Sequence, residues 1–373
     1  MTMRSTASLG RQSGLSLIEL MIASAIGLLL LTGLSMIFVS SSETNREMQK
    51  TSQQIENGRY AIDILSQNLR LAGFYGHLHD LATITPPVTI PPDPCDVTVP
   101  ALTSAMWFPV QAYPGTIDAA NPADDAAADV STTTCAALTA ANLKPGSDVL
   151  VIRRADTNAL AATDVAISNV FYIQAGASSA EIQVGNGAAI GTNKANGNPS
   201  TLYLTNGAIP APPVPIRKYH VHIYFVAPCS IGTATVSGVA GVCQTGDDSI
   251  PTLKRLELSV SGAFVIVPLV EGIDHFKIEY GVDTIPTTVN LATGSTGDAA
   301  VDLYTTAPAD WREAIAAKVY VLARNTVATR GFKDDKTYLL GTTAVPARND
   351  EFKRHVYAAA VRLTNPAGRR EIP

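Results

Sequence analysis

The chain has 373 residues, a formal net charge of −5 and 46% hydrophobic content. That length holds one large domain or two ordinary ones, with enough apolar residues for a real core. Only 16% of residues are charged and no basic stripe stands out, which argues against a dedicated nucleic-acid surface.

From residue 15 to Val39 the only ionisable side chain is Glu19. Twenty-five helical residues reach about 37 Å, enough to cross a hydrocarbon core of about 30 Å. Arg4 and Arg11 precede the run, while Glu43, Arg46, Glu47 and Lys50 follow it with no net charge. The positive-inside bias then predicts a cytoplasmic N-terminus with the bulk of the chain outside. Loss of residues 1–14 would take +2 from −5 and leave −7. A carboxylate costs about 2.5–3.5 kcal/mol at the centre of a membrane helix. Glu19 lies only about 6 Å along the helix from Leu15, so its cost is smaller. A secretory signal peptide has a shorter apolar core, although Val39-Ser40-Ser41-Ser42 offers small residues for cleavage. A plain single-span anchor explains the length but neither Gly14 nor Glu19.

Gly14-Leu15-Ser16-Leu17-Ile18-Glu19 resembles the class III signal of type IV prepilins and pseudopilins. The resemblance implies cleavage after Gly14 by a prepilin peptidase and methylation of the new amino terminus on Leu15. It also implies that Glu19 meets the amino terminus of a neighbouring subunit. The family usually carries Phe where Leu15 stands. A carboxylate in hydrocarbon needs a counter-charge, and an adjacent amine supplies one.

Beyond the span, Met48, Ile55, Ile62 and Leu69 recur every seven residues, and Leu65 and Ala72 complete an apolar helical stripe. Glu43/Arg46, Glu47/Lys50 and Glu56/Arg59 stand at i,i+3. No proline occurs before Pro86, and Gly73 and Gly76 are natural stops with Arg70 in the last turn. One helix over 15–72 would be about 87 Å long.

Residues 80–147 read as loops with one short strand near Met106–Val110. Strands are then predicted at 148–153, 169–174, 180–184, 201–204, 217–226, 252–260, 263–270, 275–281, 317–325 and 354–364, separated by Gly, Pro, Asn and Thr clusters. The fold class is α+β: a type IV pilin-like long N-terminal α-helix packed on a mostly antiparallel β-sheet head with large loop insertions. The expected organisation is leader 1–14, membrane and assembly helix 15–39, amphipathic continuation 40–76 and periplasmic head 77–373, with insertions at 80–215 and 282–308. The four cysteines, Cys95, Cys135, Cys229 and Cys243, form no CxxC pair and suit disulfides in an oxidising compartment. Of three connectivities, Cys95–Cys135 with Cys229–Cys243 closes the shortest loops; a loop of 15 residues is worth about 3 kcal/mol. Four buried free thiols are the alternative.

The order of later landmarks resembles a PilW-type minor pilin. The likeness runs through Leu253–Leu258, Leu269–Asp274 and Phe276–Gly281, then Trp311 ahead of Lys318–Arg324 and the final Arg354–Asn365 strand. It implies a non-enzymatic subunit that primes or caps a type IV pilus, held in the inner membrane and later in the filament near its tip. The implied partners are prepilin peptidase, other minor pilins, the major pilin and the inner-membrane assembly platform. A J-type pseudopilin of type II secretion has a related design, but the large insertions favour the pilus. A membrane-anchored periplasmic binding protein or tip adhesin using 80–215 is a reading from another class.

No Walker A, dinucleotide fingerprint, GxSxG or HExxH sequence occurs, and no cofactor is expected. His220 and His222 share one face of a strand, without an evident third metal ligand; His77 and His79 are weaker. Asp124, Asp125 and Asp129, and Asp283, Asp298 and Asp302, lack EF-hand spacing and read as solvated loop carboxylates. Trp107, Phe108 and Tyr113 read as buried beneath the loop.

Overall fold

A computed structural model describes residues 14, 16–78, 81, 88–118, 125–130, 133–160, 164, 166–176, 180–185, 214–259, 262–284 and 298–371. Leader residues 1–13, Leu15, His79, Asp124 and the strand expected at 201–204 lie outside them. The chain divides into two compact units, Met1–Ser52 and Gln53–Pro373.

Helix α1 (Leu17–Leu71) begins in the first unit. Within the first unit, its hydroxyls bond back to its own carbonyls: Ser24 Oγ to Met21 O at 2.9 Å and Thr32 Oγ1 to Leu28 O at 2.8 Å. These polar atoms therefore need no outside partner. Lys50 pairs with Glu47 at 2.7 Å, one of the i,i+3 pairs expected.

In the second unit α1 buries Gln54, Gly58, Ala61, Leu65, Ser66 and Leu69. The apolar stripe is thus shifted from the seven-residue series: Met48 is 65% and Ile55 39% exposed, while Leu65, Leu69 and Ala72 are buried as expected. Small residues set this face. A Cβ on Gly58 would overlap the Tyr357 ring, so the bare backbone permits that contact. Gln54 Nε2 donates to Ala323 O (2.8 Å) and Lys353 O (3.0 Å), and Asn57 Nδ2 to Glu271 O at 3.0 Å. The helix ends at Gly73, whose positive φ of 71° suits a glycine C-cap.

After α2 (Val99–Ser104) and a 3-10 turn at Ala105–Trp107 come β1 (Val110–Tyr113), β2 (Val149–Ala155), β3 (Phe171–Ala175), β4 (Ala180–Val184) and β5 (Ile216–Ala227). They are followed by β6 (Ala234–Val236), β7 (Val239–Val242), β8 (Thr252–Leu258), β9 (Phe264–Glu271), β10 (Ile273–Val282) and β11 (Leu303–Thr305). Last are β12 (Ala314–Arg324), β13 (Tyr338–Leu340), β14 (Thr343–Val345), β15 (Arg354–Arg362) and α3 (Thr364–Arg370). The short strand expected near Met106–Val110 starts later, because Ala105–Trp107 coils first. The last predicted strand stops at Arg362, and α3 follows. Its side chains cap α1: Asn365 Nδ2 donates to Ala72 O at 3.0 Å, and Arg369 donates to Gly73 O.

All described pairings between strands are antiparallel. The head holds two main sheets: a seven-stranded one, β1-β2-β5-β3-β4 with β8 on β5 and β9 on β8, and a four-stranded one, β11-β10-β12-β15. Alternation along β5 divides the interior. Tyr219, Val221, Ile223 and Phe225 face a core with Leu102, Met106 and both disulfides. Tyr224 and Val226 face a second core that joins Ala61, Leu65 and Leu69 of α1 to Ile278, Tyr280 and Val319 of the smaller sheet. The period-2 pattern thus places Ala61, Leu65 and Leu69 of the helix on one side of the larger sheet and Leu102, Met106 and Cys135 on the other.

Asp283 and Asp125 correct the solvated-loop expectation. Asp283 is buried, with Oδ2 accepting from Arg370 Nε at 3.1 Å and from Ala299 N at 3.0 Å. Asp125 pairs with Arg348 at 2.7 Å in a largely enclosed position. Asp302 accepts from Thr284 N at 2.7 Å, while Asp298 and Asp129 are exposed. Each buried case meets an arginine from the far C-terminal segment, a pairing invisible to local spacing.

Candidate functional site

The N-terminal end of α1 is the strongest candidate. Gly14 is exposed with nothing near its Cβ position. Glu19 is exposed in the first turn, where its carboxylate complements the helix dipole. Its Oε2 accepts from Ser16 N at 3.0 Å, and Ser16 Oγ accepts from Ile18 N at 3.4 Å. Sequence reasoning missed Ser16; the Ser-x-x-Glu capping spacing was its signal. Leu15 lies outside the described residues. The large hydrophobic side chains from Leu17 to Val39 are more than half exposed. The helix is long and apolar enough to cross a membrane. So large an apolar surface marks a membrane or protein contact.

The head contains Cys95–Cys135 and Cys229–Cys243 as disulfides, with no free cysteine. Asp93 lies near the first bridge, but its carboxylate accepts from Cys95 N at 2.9 Å and Thr134 N at 2.5 Å. Both nearby sulfurs are committed to the disulfide, so this cluster leaves one ligand for a cation.

His220 and His222 do share a face, with ring centroids 5.3 Å apart. They turn to different acceptors. His220 Nε2 is 3.3 Å from Asp156 Oδ2, while His222 Nδ1 is 3.3 Å from Asn68 Oδ1 and Nε2 is 3.9 Å from Glu257. Burial and then Arg154 push the His220 imidazole down; burial, Arg255, His220 and Arg154 push His222 further. Cations on both sides oppose a further cation there. His77 is exposed. Phe108 is buried, and Trp107 and Tyr113 are half-buried against the core of the larger sheet.

A cleft of about 390 Å³ beside Cys135 is lined by Thr133, Thr134 and Thr139, with Asp129 and several alanines. It has few convergent polar groups and lacks the aromatic lining usual in a small-molecule site.

Residues 9–35 match a family model described as the prokaryotic N-terminal methylation motif. Residues 241–365 match the model described as Type IV Pilus-assembly protein W. No curated protein and no solved structure matches the chain. With the long helix and antiparallel head, the first match supports a type IV prepilin-like protein. The second supports the PilW type, on β7 to α3 of the head. Pilin-family domains are structural rather than enzymatic, and the apolar helix with its motif is consistent with a membrane-anchored pilin.

Proposed function

We propose that this chain is a minor pilin of a type IV pilus. Prepilin peptidase cuts it after Gly14, and Leu15 becomes the methylated residue. Helix α1 then leaves the inner membrane and joins a bundle of pilin helices. Other minor pilins, the major pilin and the inner-membrane assembly platform are its partners, and it primes or caps the filament near the tip. The head stays in the periplasm until then and performs no catalysis.

The observation that carries this reading is the exposed apolar helix with one carboxylate in its first turn, inside the stretch matching the methylation motif. Glu19 has a donor in its own chain, Ser16 N. In a bundle the amine of a neighbour supplies full charge compensation in a low-dielectric setting, which a backbone N–H does not. The pilus is favoured over type II secretion by the pilus-assembly family match on residues 241–365.

Two substitutions test it. Gly14→Ala is expected to block leader removal, read as retained mass on the full chain. Glu19→Ala is expected to be cut normally but to co-purify several-fold less with pili and other minor pilins. Normal cutting of the first, or full incorporation of the second, contradicts the reading.

A further inference from the structure

Strand β15 is an edge of the smaller sheet, nine residues long against three for β11 at the opposite edge. Asn325 N donates to Lys353 O at 3.1 Å and Leu363 N to Ile315 O at 2.8 Å, which fixes the phase of its ladder with β12. His355, Tyr357, Ala359 and Val361 therefore bond to β12, while Val356, Ala358, Ala360 and Arg362 turn N–H and C=O to the open side. Among the described residues nothing bonds these outward backbone groups.

Sheet edges are normally blunted by proline, bulges, free charges or shortness. Strand β9, an edge of the larger sheet, carries Pro268 and a register shift against Leu253/Lys254. Strand β15 has neither. Its two arginines are engaged, Arg354 by Asp274, Asp334 and Asp350, and Arg362 by Glu371. Ala358 and Ala360 are exposed and too small to shield the edge. Such an edge is a template for an added strand.

Within the head, α1 runs beside β15 in the same direction: Gln54 bonds Lys353 O, Gly58 lies under the Tyr357 ring, and Asn365 bonds Ala72 O. One flank of α1 turns Asn57 to Glu271 O and Asn68 to His222, at the larger sheet. Strand β10 adjoins that sheet through Asp148 N on Phe276 O at 2.9 Å, and β15 stands two strands from β10. Helical phase puts Ile55 and Ile62 on the flank facing β15's side, with Ile55 exposed and Ile62 half-buried. An added strand would cover both with its inward side chains. A second copy pairing β15 to β15 about a two-fold axis would point its α1 the opposite way. Two helices entering one membrane from the same side do not permit that.

We infer that the open edge of β15 receives a strand from the head of a neighbouring, non-identical pilin subunit, with apolar side chains on the face toward Ile55 and Ile62. This rests on the minor-pilin reading.

The test purifies the full-length chain in detergent from cells with an active pilus system, and from cells lacking the other pilins. Hydrogen exchange read by peptide mass spectrometry follows the amides of residues 354–362. Those of Ala358 and Ala360 are expected to slow several-fold in the complex only. A photoreactive benzoylphenylalanine placed at position 360 is expected to cross-link to a strand of a different pilin subunit. Ala358→Pro removes one outward N–H and no bond to β12. It should cut co-purifying pilins several-fold, while the mature N-terminus and the urea midpoint stay as in wild type; Ala358→Ser should keep full association. Unslowed Ala358 and Ala360 amides in a pilin-containing complex overturn the inference, whether or not the proline variant folds. So do full association of a folded Ala358→Pro chain and a cross-link to a second copy alone. A processed wild-type chain that binds no other pilin overturns this inference only, whereas an intact leader overturns the pilin reading with it.

Discussion

Arg354 gathers three carboxylates around one buried side chain. Its Nε donates to Asp274 at 2.8 Å, Nη1 to Asp334 at 2.8 Å and Nη2 to Asp350 at 2.6 Å. Burial alone would raise the Asp274 carboxyl, but Lys144, His275 and Arg354 hold it well below the usual range. The cluster ties the start of β15 to β10 and to the loop before it. Arg354→Met would leave Asp334 enclosed without its counter-charge and Asp274 with only Lys144 and His275. A loss of about 3–5 kcal/mol is expected, read from the shift in urea midpoint. Loss below about 1 kcal/mol would mean the carboxylates rehydrate. Nothing in the local sequence signals this cluster. Asp274 lies in a strand pattern, and its partner comes 80 residues later. Gly14 and Glu19, by contrast, were legible because their meaning lies in short spacing beside an apolar run.

At the scale of elements, helix α1 was readable as a helix, and its buried face was legible over Leu65, Leu69 and Ala72 but not at Met48 and Ile55. A seven-residue count favours large apolar residues, whereas packing on the sheets selects Gly58, Ala61 and Ser66 for close approach. Gly58→Leu should therefore destabilise the head by about 1–3 kcal/mol through forced displacement of the Tyr357 ring. Combining it with Tyr357→Ala should recover part of that loss in a double-mutant cycle. Strict additivity would place the two residues out of contact. Strand existence was legible from β-branched and aromatic runs in β2, β5, β10 and β12. The division into two sheets was not, because long-range pairing such as β5 with β8 leaves no local mark. Helix α3 was hidden by Pro366 and Gly368, and it forms where it can cap α1.

At the scale of the whole molecule, the head stores several titratable groups in enclosed positions. Burial lowers His220, His222 and His275 first of all, although Asp274 partly offsets this at His275. The unfolded chain takes up these protons near pH 6.5, where the folded head does not. Their stabilising contribution is therefore complete above about pH 6.5 and declines as pH falls below it. Asp274 is depressed instead, so its contribution is present above about pH 3.9 and is lost below that. Urea midpoints of the full-length chain should fall in two stages from pH 8 to pH 3. His222→Gln should shallow the first stage only. A flat profile between pH 8 and pH 5 would contradict the buried neutral imidazoles.

The central claim is that α1 is an assembly helix released by cleavage after Gly14. Mass spectrometry of the N-terminal peptide from cells with an active pilus system tests it most directly. The expected result is a mature chain that begins at Leu15 with one added methyl group on its amino terminus. An intact leader, or a terminus generated by cutting near Val39–Ser42, would contradict it.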